Sequence, residues 1–156
     1  MKRKKITATI DGISYKIDSY EHTTEFGNRN KDTVAEFLKD SYEGNIDENY
    51  NLSNGYSYIF VTMTYTNNTD EQVEILRNAG AFYIINDDLE RLQVGDPGGI
   101  YIDNYWTEGK ENERYHYVLG AGESVTSEVG YIIQDEWMSE AVSYTHLRAH
   151  ETDSYL

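Results

Sequence analysis

The chain has no cysteine, a single proline and few bases for its acids. The missing cysteine excludes disulfides, thiolate metal sites, cysteine nucleophiles and lipidation of this chain through a cysteine. Thirteen Lys and Arg stand against 28 Asp and Glu, for a formal charge of −15 at pH 7. That balance argues against nucleic acid or an anionic membrane as a partner, because Lys and Arg are what meet phosphate. No apolar run approaches the length that crosses a bilayer. Met1-Lys2-Arg3-Lys4-Lys5 has the charge of a signal-peptide opening. The stretch that follows alternates polar and apolar residues and supplies no apolar core for such a signal. The chain is therefore expected to be cytoplasmic, or to belong to an exported protein whose export segment is missing here.

What is present favours strands. At 156 residues the chain suits one two-layer domain, and its 15 tyrosines and many threonines prefer extended backbone. Ile6, Ala8 and Ile10 alternate with polar residues, then Ile13, Tyr15 and Ile17 do the same after Asp11-Gly12. This pattern predicts a hairpin or one bulged strand. Residues 33–42 break it. Thr33 and Glu36 fit a capping box, Val34, Phe37 and Leu38 fall on one helical face, and Gly44 can end a helix, so a short helix is expected inside an insertion at about 31–44.

The strongest signal is residues 54–74, NGYSYIFVTMTYTNNTDEQVE. Ile59, Val61, Met63 and Tyr65 share one face, which should be core. Tyr58 and Phe60 begin the other face, which should be covered near its start and wet at Thr62, Thr64 and Thr66. Asn67 to Asp70 reads as a turn, followed by alternating Val73 and Ile75. Further strands are expected at 81–86, within 100–106, at 115–119, and at Val125, Val129, Tyr131 and Ile133. Seven or eight short strands with turns between them favour a sandwich.

Several residues invite a chemical role. His22 and His116 lie far apart in sequence, with no metal-ligand spacing. Ser57 sits in Gly55-Tyr56-Ser57-Tyr58, which lacks the elbow of a serine nucleophile. Asp47, Asn49 and Asn51 begin like a calcium loop, but Leu52 occupies the place of the turn glycine and Tyr58 that of the bidentate glutamate. Asp87, Asp88, Glu90 and Asp96 form a second acidic loop. Asn51-Leu52-Ser53 and Asn67-Asn68-Thr69 match the glycosylation pattern and are better explained as turns. Tyr101, Tyr105, Trp106, Tyr115 and Tyr117 are enough aromatics for a binding face, though core and cross-strand packing is favoured.

From Val142 the chain reads VSYTHLRAHET. This resembles the translation of a common transposon-based sequencing adapter. The native reading is then expected to end near Ala141, with 142–156 a non-native tail that removes His146 and His150 from consideration. The open reading frame would then have run off the end of a metagenomic contig into adapter. The alternation of Val142, Tyr144 and His146 still permits a strand there.

Two segments carry a family resemblance. Gly55 to Ile75 fits "gY.yifV.m.y.Nntde.v.i", and Tyr115 to Ile133 fits "y.y.L.aGEsvts.vgyii". Together they resemble the small immunoglobulin-like domains of secreted lipoproteins of Gram-positive bacteria, mostly of unknown function. The resemblance implies that the "Nntde" turn joins two sandwich strands and that "GE" precedes a late strand. It implies no catalytic residue. The chain departs from the pattern in lacking a lipid-anchor cysteine, in its helical insertion, and in Ala121 where the family has Pro.

The expectation is thus an all-β, immunoglobulin-like β-sandwich of seven to eight strands with one short helix in an insertion, forming one domain over 1–141. It is expected to be a non-enzymatic, extracellular or cell-envelope-associated module that binds an unknown protein or glycan, without catalytic, cofactor or metal residues. The alternative is a calcium-dependent carbohydrate- or ligand-binding sandwich using the acidic loops; a hydrolase is a distant third.

Overall fold

The computed structural model describes residues 6–77, 81–85, 91–92, 99–103, 115–136 and 144–148. Among them are ten strands: β1 (Ile6–Ile10), β2 (Ile13–Thr23), β3 (Tyr56–Asn67), β4 (Val73–Leu76), β5 (Ala81–Ile85), β6 (Arg91–Leu92), β7 (Gly99–Ile102), β8 (His116–Leu119), β9 (Ser124–Gln134) and β10 (Tyr144–Arg148). Each stretch expected from the sequence to be a strand contains one, and the first two form separate strands. The additions are the two-residue β6 and β10, which lies in the suspected tail and pairs antiparallel with β5.

Asp11 and Gly12 both have positive φ, 51° and 79°, so their turn twists as a hairpin requires and β1 folds back on β2. The main sheet runs β1-β2-β3-β9-β7, all antiparallel neighbours. One face carries Ile13, Ile59, Val61, Met63, Tyr65, Val125, Val129, Tyr131 and Ile133. These pack against Ile75 of β4 and Leu119 of β8, which pair with each other as a second, two-stranded sheet. Sheet on sheet around one apolar layer makes this a β-sandwich.

The opposite face is covered over only half its length. Residues 24–55, between β2 and β3, supply Phe26, Val34, Leu38 and Leu52, which bury Tyr58, Phe60, Tyr101 and Ile132 in a second cluster. Burial along β3 reports this directly. It is continuous from Ser57 to Val61, then alternates from Thr62 to Asn67. β9 mirrors it, alternating at first and then buried without interruption from Val129 to Ile133. The expected division of the β3 outer face into a covered start and a wet end is what the fold shows.

The helix differs from its expectation. Residues 33–42 do not form one helix. A 3-10 turn spans Lys31–Thr33, the backbone at Val34 is extended, and α1 covers only Leu38–Ser41. No capping box forms: the Thr33 hydroxyl donates to the Asn30 carbonyl at 2.9 Å, and Phe37, the N-cap of α1, makes no side-chain cap. The competing interaction is a sheet edge. Val34 bridges Tyr101, and the Ala35 N–H donates to the Ile100 carbonyl at 2.8 Å. A backbone that closes β7 cannot also be helical, and Phe37 is left exposed. Gly44 has the positive φ, 82°, foreseen for it.

Candidate functional site

At one end of the sandwich the last residues of β2, the first of β3 and the residue after β9 converge. Register places His22 opposite Ile59 on the core-facing side. Ser57 lies beside them and donates its hydroxyl to the Asp135 carboxylate, and the His22 Nε2 stands 3.8 Å from that carboxylate. Serine, histidine and aspartate therefore meet, but in an order that does not activate a nucleophile. In an acyl-transfer triad the serine proton passes to histidine and the aspartate orients the imidazole. Here the serine hydroxyl is bound to the aspartate. The Asp135 N–H in turn donates to the Gly55 carbonyl at 2.7 Å, so the group ties together the ends of β3 and β9. Tyr20, on the same face of β2, is 59% exposed beside it.

His116 lies elsewhere, its Nδ1 2.6 Å from Glu74 Oε1 across the β4–β8 pair. The two histidines belong to different sheets and build no common site.

The calcium-like loop has an internal use for its acid. Asp47 Oδ1 accepts the backbone N–H groups of Asn49 and Asn51, each at 2.8 Å, and Oδ2 accepts the Asn51 amide at 3.2 Å. These hydrogen bonds, led by that from the Asn51 backbone, hold the Asp47 carboxyl below its ordinary range. The loop is pinned at Ile46 and Leu52, which bridge each other, and Asn51 accepts the Phe26 N–H at 3.1 Å. Among the described residues no three His, Asp or Glu side chains are grouped to hold a metal. The acidic loop of Asp87, Asp88, Glu90 and Asp96 lies outside the described residues.

The aromatic set does not form one face. Tyr101 belongs to the second cluster, while Tyr115 and Tyr117 pack on the first, across the sheet from it. Tyr105 and Trp106 lie outside the described residues. Of the glycosylation-pattern asparagines, Asn67 is fully buried.

Three structural groups are buried where the sequence reading gave them no inward role. Asn67, Arg77 and Ser127 are buried polar residues. Asn67 donates to the carbonyls of Glu71, Leu119 and Gly120 and accepts the Thr69 N–H and hydroxyl. The turn after β3 is therefore organised by an amide within the core rather than by positive φ at an asparagine. Arg77 donates to the Ser127 hydroxyl at 2.8 Å, lies over the Tyr117 ring, and its carbonyl accepts the Tyr65 hydroxyl at 2.5 Å. Burial lowers the Arg77 pKa, partly offset by Tyr65, Asp103 and Tyr117. A signal existed. Asn67 continues the series Ile59, Val61, Met63 and Tyr65; Arg77 continues Val73 and Ile75; Ser127 lies between Val125 and Val129. Each occupies an inward position of a period-two pattern.

Arg29 also draws charges together. It bonds Glu128 at 2.6 Å and Glu21 at 2.8 Å while lying on the Phe60 ring. Burial by itself would lower its pKa, but the hydrogen bonds to Glu128 and Glu21 raise it overall. Its position marks where the covered half of the outer face ends.

No protein-family profile matches the chain, and no curated protein matches it in sequence. Among solved structures it is similar to a functionally unknown protein from Listeria monocytogenes EGD-e. That likeness has a TM-score of 0.55 at 11% identity and covers 91% of this chain and 68% of that one. It is also similar to the yjhA protein from Bacillus subtilis, with a TM-score of 0.51 at 10% identity, covering 96% of this chain and 85% of that one. A weaker likeness, with a TM-score of 0.42 at 10% identity, is to an uncharacterized β-sandwich protein from Clostridium difficile 630, covering 91% of this chain and 80% of that one. At such identities the likeness concerns the fold, and the chain is a β-sandwich that shares its fold with proteins of Gram-positive bacteria.

Proposed function

We propose that the chain is a non-enzymatic, immunoglobulin-like binding or scaffolding domain of a cell-envelope protein, with a protein or glycan as its ligand. The supporting observation is the fate of three polar side chains among the described residues. Ser57 is bonded to Asp135, Asp47 to its own loop, and Arg29 across the sheet to Glu128. Groups held in this way serve the frame, which leaves loops and edges as the contact surfaces. A catalytic site would instead hold such groups ready for a substrate. The bacterial proteins of similar fold are compatible with this reading and do not select it.

The test is localisation of the natural gene product carrying an epitope tag. Recovery in the envelope fraction, with the tag cut by external protease, supports the proposal; recovery in the cytosol overturns it. The calcium alternative is separated by melting the purified chain with and without millimolar calcium. A rise in Tm that Asp47→Asn abolishes would replace the first reading with the second.

The adapter-like segment at 142–156 is proposed to be foreign to the native protein, on the strength of its eleven-residue match. Re-sequencing the gene from a clean assembly tests this, and the same eleven residues in that gene would refute it.

A further inference from the structure

The main sheet treats its two edges differently. At β7 the insertion closes the edge through Val34 and Ala35. At β1 the described residues offer no covering strand. Exposed edges with free backbone groups are templates for another strand.

Register shows which groups are offered. In a two-residue hairpin the residues flanking the turn, here Ile10 and Ile13, exchange hydrogen bonds. Alternate residues follow, so Ile10, Ala8 and Ile6 direct their N–H and C=O toward β2. Thr7 and Thr9 direct theirs away from the sheet, and both residues are exposed. Ala8 and Ile10 are half-buried on the core side, where one more strand would cover them.

Charge identifies the strand that fits. Lys2, Arg3, Lys4 and Lys5 precede β1 in the sequence, at the end where it pairs with Ile17. At the other end lie exposed Asp11, Asp70 and Glu71. The two turns carrying these acids are joined: the Asn68 N–H donates to the Gly12 carbonyl at 2.9 Å, and the Asn68 amide to the Ser14 hydroxyl at 2.6 Å. In the sequence, bases thus precede β1 and an acid follows it, on a chain whose overall charge is −15.

We propose that β1 is a homodimer edge, pairing antiparallel with β1 of a second copy. Setting Thr7 against Thr9 of the second copy makes both outward-facing pairs hydrogen-bonded and places Ala8 against Ala8 on the two-fold axis. That register runs the Ile6 end of each β1, which bases precede in the sequence, against the Asp11 end of the other and joins two five-stranded sheets into one. Parallel pairing would bring like ends together. The contact is small and polar, so the dimer is weak and sensitive to salt. The inference does not depend on the functional proposal above.

Sedimentation equilibrium of the full chain over a concentration series, at low and high salt, tests it. The expected result is a monomer–dimer equilibrium that shifts toward monomer as salt rises. Thr9→Pro removes an outward N–H that β2 does not use and should abolish the dimer with the fold retained. The pair Asp70→Lys and Glu71→Lys changes exposed side chains only and should weaken the dimer about tenfold. A wild-type chain that stays monomeric throughout overturns the proposal. So does a dimer that persists equally in both variants, which would place the contact elsewhere.

Discussion

The Arg29 guanidinium carbon lies 3.4 Å from the centroid of the Phe60 ring, with Glu128 and Glu21 holding its nitrogens. This contact closes the second cluster at the point where β3 turns from fully buried to half-wet. Arg29→Ala should cost about 2 kcal/mol, through the lost cation–π contact and the stranded Glu128 carboxylate. Thermal melting should show this as a fall in Tm of roughly 5 °C. Arg29→Lys should recover only part, because an ammonium lacks the planar fork. An unchanged Tm in Arg29→Ala would show that the insertion holds without this clasp.

Gly130 sits beneath the same ring. A Cβ there would lie 2.8 Å from Phe60 Cε1 and 3.1 Å from the Tyr101 Cβ. Gly130→Ala should therefore destabilise by about 2 kcal/mol through overpacking. Adding Phe60→Leu should return part of the loss, a coupling that denaturant melts of the two single variants and the double variant would measure. Strict additivity would mean that the strain is relieved elsewhere.

Asn67→Ala would leave the carbonyls of Leu119 and Gly120 and the Thr69 N–H without this partner inside the sandwich. The expected cost is about 3 kcal/mol. Asn67→Asp should be worse, since a carboxylate would face carbonyl oxygens that now receive N–H groups. Chemical denaturation of both variants decides the order, and equal stability to wild type would refute the hub.

Alkaline pH should unfold the chain. Burial, aided by Glu128 and Asp103, pushes the Tyr101 phenol from 10.0 up to about 12, and burial drives Tyr58, Tyr65 and Tyr131 higher still. A pKa raised on folding contributes stability that is complete below the unfolded value near 10.0 and disappears as pH climbs through about 12. Asp47 acts in the opposite sense. Its pKa is lowered on folding, so its contribution is present above the unfolded value and is lost as pH falls. Tyrosinate absorbance should rise in two phases, the exposed phenols first and the buried set together with loss of circular dichroism. A single ordinary titration with the fold intact would contradict this.

The β3 stretch was the most legible part of the fold, and the reason is periodicity. Alternation records which side chains a strand turns inward, so Ile59 to Tyr65 were placed on the core before any partner was known. The switch at Thr62 was legible too, because Tyr58 and Phe60 are too large and apolar to stand in water together. The expected helix does not form although local chemistry at Thr33 and Glu36 favours a capped turn. The β7 edge, more than sixty residues later in the chain, claimed the backbone at Val34 and Ala35 instead. The candidate chemistry behaved similarly. Asp47 looked like a ligand in sequence, and its hydrogen bonds within the loop gave it another use.

By itself, then, the sequence determined the class of fold, the inward faces of β3 and β9 and a change of direction or bulge at Asp11-Gly12, because these rest on neighbours two to four residues apart. Tertiary structure alone decided that Arg29 lies on Phe60, that Ser57 answers to Asp135, that Asn67 and Arg77 turn into the core, and that the insertion closes the β7 edge while no described strand covers β1. Those outcomes depend on which distant backbones meet, and local pattern carries no information about which strand becomes whose neighbour.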